Sequence, residues 1–136
     1  MKNENNNLTK RERDCIITVG ERRNQSFPTR VSFIAKSLGM KMPTVEEIVK
    51  RLVKKGLVQK EAGMVILTAK GNQCYEEIIM KHRAMETFLF ECGVDADDAC
   101  KEVSKFDYLI EKKSVYKIME KIGKPERCPH GFKIMV

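Results

Sequence analysis

Pro43-Thr44-Val45-Glu46-Glu47-Ile48-Val49-Lys50-Arg51-Leu52-Val53-Lys54-Lys55-Gly56-Leu57-Val58 is the stretch that decides the fold. Val45, Ile48, Val49, Leu52 and Val53 return at steps of three and four, which is one buried stripe of a helix. Pro43 opens that helix, where its missing N–H costs nothing, and Gly56 closes it. Two apolar stretches follow, Leu57-Val58 and Met64-Val65-Ile66-Leu67, divided by the polar Gln59-Lys60-Glu61-Ala62-Gly63. Short strands around a glycine predict a hairpin. Upstream, Thr9-Lys10-Arg11-Glu12 has capping-box spacing and starts a helix over about 10–22. Asn24 to Pro28 is a turn. Arg30 or Ser32 then opens a short helix that carries Val31, Ile34, Ala35 and Leu38 and stops at Gly39. Helix, short helix, turn, helix and hairpin make a winged helix-turn-helix, whose Pro43 helix would enter a major groove.

Downstream, Thr68 caps a long helix over about 69–91 that ends at Cys92-Gly93. Asp95 starts another helix to about Tyr108, with its acidic residues at the end the dipole favours. Ser114 caps a last helix that Gly123-Lys124-Pro125 stops, and the tail from Glu126 has no usable period. These helices carry more apolar surface than one packed face requires, and pairing with a second copy would cover it. The expected fold is therefore mainly α with a small β-hairpin. Residues 1–73 form a winged-helix DNA-binding domain, and residues 74–136 form a helical domain for dimerisation and metal binding.

Charge separates the halves. Residues 1–73 hold 15 Lys+Arg against 7 Asp+Glu, a surplus of eight, while residues 74–136 hold 11 against 12. A basic first half suits a polyanion. Hydrophobic residues at 42% and charged residues at 33% describe a soluble globular chain. No apolar run reaches the roughly 20 residues of a membrane span, and the polar Met1–Asn7 is no signal peptide, so the expected location is cytoplasmic. Five irregularly spaced cysteines without a C-x-x-C pair fit neither a disulfide framework nor a zinc knuckle. Two histidines, no Gly-rich phosphate loop and no triad or paired-carboxylate spacing leave no enzyme chemistry to assign, and no small organic substrate is expected.

Several stretches resemble the iron- and manganese-dependent repressors of the diphtheria toxin repressor and manganese transport regulator family. They are Thr29-Arg30-Val31-Ser32-Phe33-Ile34-Ala35, Met42-Pro43-Thr44-Val45 leading to Lys55-Gly56-Leu57-Val58, Leu67-Thr68-Ala69-Lys70-Gly71, Lys81-His82-Arg83 and Cys128-Pro129-His130-Gly131. The resemblance runs from about Leu8 to Gly131 without a gap, and no counterpart of the SH3-like third domain of some members is expected. It implies a homodimer on a palindromic site in double-stranded DNA, gated by a divalent transition metal, Fe²⁺ or Mn²⁺. The family's ligand positions fall on Asp14, His82 and Glu86. The other positions depart from the family: Cys100 stands for histidine, Ser104 for Cys or Glu, Asp107-Tyr108 for a Glu-His pair, and Ile17 for a glutamate. One site is thus reduced to Asp14, Asp107 and Ser104, while the other keeps His82, Glu86 and Cys100, a set that also suits the softer Zn²⁺. Cys128 and His130 are unplaced by sequence. A thiol-gated form through Cys100 is an alternative, as is a winged interaction module without metal control.

For DNA, Pro43 and Thr44 match the family's reading positions. Glu46 and Glu47 stand where relatives tend to have Ser and Gln, and a glutamate can accept from cytosine N4. Arg30, Lys41, Lys50, Arg51 and the wing residue Lys60 are the expected backbone contacts.

Overall fold

A computed structural model describes residues 8–134; the signal-peptide question at Met1–Asn7 falls outside them. Six helices and three strands are present among the described residues: α1 (Lys10–Glu21), β1 (Thr29–Arg30), α2 (Val31–Leu38), α3 (Met42–Lys54), β2 (Val58–Glu61), β3 (Met64–Leu67), α4 (Ala69–Glu91), α5 (Ala96–Val103) and α6 (Lys112–Lys121). They fall into two compact units, Leu8–Tyr75 and residues 76–134, with α4 beginning in the first and continuing into the second.

The first unit is a winged helix-turn-helix. Thr9 and Glu12 form the capping box of α1, with the Thr9 hydroxyl accepting from the Glu12 amide and the Glu12 carboxylate accepting from the Thr9 amide. Ile16 and Val19 of α1, Ile34 of α2, and Val45, Ile48, Val49 and Leu52 of α3 bury together as the core. Gly39 ends α2 in the left-handed region at φ 63°, where a side chain is strained. The hairpin pairs Glu61 with Met64 and Val58 with Leu67. Its turn is only Ala62-Gly63, both at positive φ, so the polar residues Gln59 to Glu61 lie inside β2 instead of in the loop. A third strand joins the hairpin: β1 pairs Thr29 with Val65 and Arg30 with Met64, giving the antiparallel order β1-β3-β2. Two residues are too few to show an alternating pattern, which is why the sequence reads them only as the entry to α2.

The second unit packs Met80, Ala84 and Met85 of α4 against Val103, Val115 and Met119, with Cys128 and Ile134 of the tail in the same cluster. Helix α5 is shorter than its acidic start predicts. Beyond Val103 the chain tightens into turns, with Phe106 N–H on the Val103 carbonyl and Leu109 N–H on that of Phe106. At α6 the cap is Glu111, and Ser114 lies inside the first turn, its N–H on the Glu111 carbonyl. The tail closes on itself: Cys128 N–H donates to the Phe132 carbonyl and Ile134 N–H to that of Glu126.

Candidate metal centre and nucleic-acid face

In the helical unit, one turn of α4 projects His82 and Glu86 from the same face. Helix α5 supplies Cys100. The Nε2 of His82 lies 3.4 Å from Cys100 Sγ and 3.4 Å from Glu86 Oε2. One ligand atom from each of the three falls within 4.8 Å of the others. Donors that share an ion at about 2.0–2.3 Å in tetrahedral array stand roughly 3.3–3.8 Å apart, so His82 has that spacing to both Cys100 and Glu86. The mixed thiol, imidazole and carboxylate set fits a divalent transition metal of the Zn²⁺ or Fe²⁺ kind.

Asp107 does not enter the trio. It is fully buried at 0% exposure and lies 2.9 Å from His82 Nδ1. As an acceptor it keeps the ring proton on Nδ1, which turns the Nε2 lone pair toward Cys100 and Glu86, the usual task of an outer-shell carboxylate. The turns that shorten α5 are what bring Asp107 to this place. The hydroxyl of Ser104 donates to the Cys100 carbonyl at 2.9 Å, a bond back along its own helix. Asp14 belongs to the winged unit, where Lys10 and Arg13 hold its carboxylate.

His130 is the residue that sequence leaves unplaced and the fold brings in. Its Nδ1 is 3.1 Å from Glu86 Oε1 and its Nε2 is 2.9 Å from Asp97 Oδ1. The hydrogen bond to Asp97, then the bond and charge of Glu86, raise its pKa above 6.5. Burial of Cys128 and Ile134 positions this loop, and Arg83 fastens it with a 2.7 Å bond to the Lys133 carbonyl. No periodicity announces such a loop, and the only sequence sign of it is Cys-Pro-His-Gly itself. Cys128 is packed into the core instead of facing the trio.

In the winged unit, Arg30, Lys41, Pro43, Glu47 and Lys50 are exposed and Thr44 is half-buried. Two of the expected backbone contacts are engaged within the chain. Arg51 Nε lies 3.0 Å from Glu12 Oε2, and Lys60 of β2 is ion-paired with Glu46 of α3. That second pair neutralises one of the two acidic residues, Glu46 and Glu47, on α3.

A winged helix-turn-helix joined to a helical unit with a His-Glu-Cys cluster is the class that fold and site define. The family model described as iron dependent repressor, metal binding and dimerisation domain matches residues 68–135, half of the chain, and a MarR family model matches residues 23–63. The chain belongs to the iron dependent repressor family. It is 29% identical over 103 residues to the transcriptional regulator MntR of Salmonella typhimurium, covering 75% of this chain and 61% of that protein. The chain thus spans less than two thirds of that relative's length. Among solved structures, the hypothetical protein SSo2273 from Sulfolobus solfataricus superposes with a TM-score of 0.81 at 33% identity, covering 95% of this chain and all of that one. The structure of the manganese regulator SloR gives 0.81 at 26% identity, covering 93% of this chain and 60% of its own.

Proposed function

We propose that this protein is a metal-gated transcriptional regulator, a cytoplasmic homodimer that binds a palindromic operator in double-stranded DNA and represses. The observation that carries the metal part is the convergence of His82 Nε2, Glu86 Oε2 and Cys100 Sγ within 4.8 Å on a ring oriented by Asp107. His82, Glu86 and Cys100 would hold the ion, with His130 hydrogen-bonded to the other oxygen of Glu86. When bound, the ion would supply a cross-link between side chains of α4 and α5. The chain's own part is to hold the donors ready: Asp107 fixes the imidazole tautomer, and Arg83 and Ile134 hold the His130 loop. Ser104, whose hydroxyl bonds back to the Cys100 carbonyl, contributes less to this cluster.

The DNA part rests on the winged fold and the basic surplus of residues 1–73. Pro43 and Thr44 lead the reading helix α3, Glu47 stands beside them, and Arg30, Lys41 and Lys50 are exposed for phosphate contact. No helix among the described residues is long and apolar enough to cross a membrane. A protein-interaction role is the weaker reading, because the Lys60 pair removes half of the acidic objection to α3.

The test is fluorescence anisotropy on duplex DNA from upstream of the protein's own gene, in reductant at fixed salt. The titration runs with chelator and then with Mn²⁺, Fe²⁺ or Zn²⁺. Metal should tighten binding tenfold or more, about 1.4 kcal/mol, and His82→Ala or Cys100→Ala should abolish that gain. Specific binding indifferent to every metal would overturn the gating. Absence of DNA binding under all conditions would overturn the regulator itself.

A further inference from the structure

Glu12 is an anomaly for a helix N-terminus: its side chain is 1% exposed, although a carboxylate that near a helix start can ordinarily remain in water. A buried carboxylate survives only with its oxygens satisfied. Oε1 takes the Thr9 amide at 2.9 Å and Lys55 Nζ at 2.7 Å, and Oε2 takes Arg51 Nε at 3.0 Å. Burial alone would raise its pKa, but the bonds from Lys55, the Thr9 amide and Arg51 outweigh it and hold the group below 4.5. Both cations come from the far end of the reading helix, four residues apart, so one carboxylate of α1 grips one face of the last turn of α3. The Arg51 side chain remains 47% exposed, within reach of solvent though paired with a carboxylate that it shares with Lys55.

We infer that Glu12 is a positioning residue that sets DNA specificity: it anchors the end of α3 and withholds the charge of Arg51 from phosphates. An unpaired arginine on that helix would add affinity for any sequence, because phosphate contacts carry no base information. With Arg51 held on Glu12, the reading helix meets DNA through its first turns, where base edges are read. The inference rests on the DNA-binding reading above, and its test separates the two.

The measurement is the slope of log affinity against log salt for the full-length protein on a duplex of unrelated sequence. Glu12→Gln should keep the fold, checked by circular dichroism, bind that duplex more tightly at low salt, and steepen the slope by about 0.9, one released counterion. Adding Arg51→Ala to Glu12→Gln should return the slope to that of the native chain. A folded Glu12→Gln with an unchanged or shallower slope overturns the proposal, as that would be a structural role alone. Should Glu12→Gln not fold, Arg51→Ala alone decides. An unchanged slope upholds the proposal, and a slope shallower by about 0.9 shows Arg51 already on a phosphate and overturns it. If the native chain binds no DNA, the regulator reading falls first and this falls with it.

Discussion

Single residues here owe their chemistry to burial and to one or two neighbours. Cys15 is 0% exposed, and burial, with the charges of Asp14 and Glu12 adding to it, pushes its thiol up to about 12 from 9.0. A thiol held that high carries roughly a thousandfold less thiolate at neutral pH than an ordinary one, and the thiolate is the reactive form. Cys92 is exposed, whereas Cys74 and Cys128 are buried. In native protein treated with N-ethylmaleimide at neutral pH, mass-mapped labelling should therefore reach Cys92 well before Cys15, Cys74 or Cys128, and all should label in denaturant. Early labelling of Cys15 would contradict the packing of α1. None of this follows from the cysteine spacing, which excludes frameworks and knuckles but assigns no thiol its surroundings. His82 and Glu86 are different: their four-residue spacing on a helix already places both on one face. The partner of His82 was legible only as a residue type, since Asp107 reaches the ring through turns that replace the last part of a predicted helix.

At the scale of elements, the joint between the hairpin and α4 is the tightest backbone approach among the glycines. A Cβ on Gly71 would lie 1.8 Å from the Leu57 carbonyl oxygen. That carbonyl also accepts the Thr68 amide at 3.1 Å, so it cannot swing away without losing the start of α4. Gly71→Ala should cost at least about 2 kcal/mol, an overpacking penalty against backbone that cannot repack. Gly39→Ala meets nothing within 4 Å and should lose only about 1 kcal/mol from its left-handed backbone. Thermal unfolding followed by circular dichroism compares the two, and equal losses would contradict the close approach at Gly71. Helices α1 to α4 were legible because caps, stripes and stops agree along each segment. Strand β1 and the clipped end of α5 were not, because they depend on a neighbouring strand and on turns whose side chains find partners far away in sequence.

For the whole molecule, the helical unit has a core of its own, to which the tail contributes Cys128 and Ile134. It still leaves Phe90 at 49% and Leu109 at 56% exposure. Large apolar side chains left in water by a single copy agree with the proposed homodimer. Sedimentation equilibrium should then return about twice the 15.7 kDa of one chain, and a mass of one chain at micromolar concentration would remove the dimer from the proposal. Order and periodicity along the chain were enough to determine the winged fold, the basic character of its half and the shared helix face of His82 and Glu86, which the family resemblance marked as ligands, because helical faces and net charge are properties of local sequence. Only the tertiary structure decided that Asp107 orients His82, that His130 returns to Glu86, and that Glu12 holds Arg51. Those contacts join residues 25, 44 and 39 positions apart, and chain segments that distant meet only when burial of the core between them fixes where each one runs.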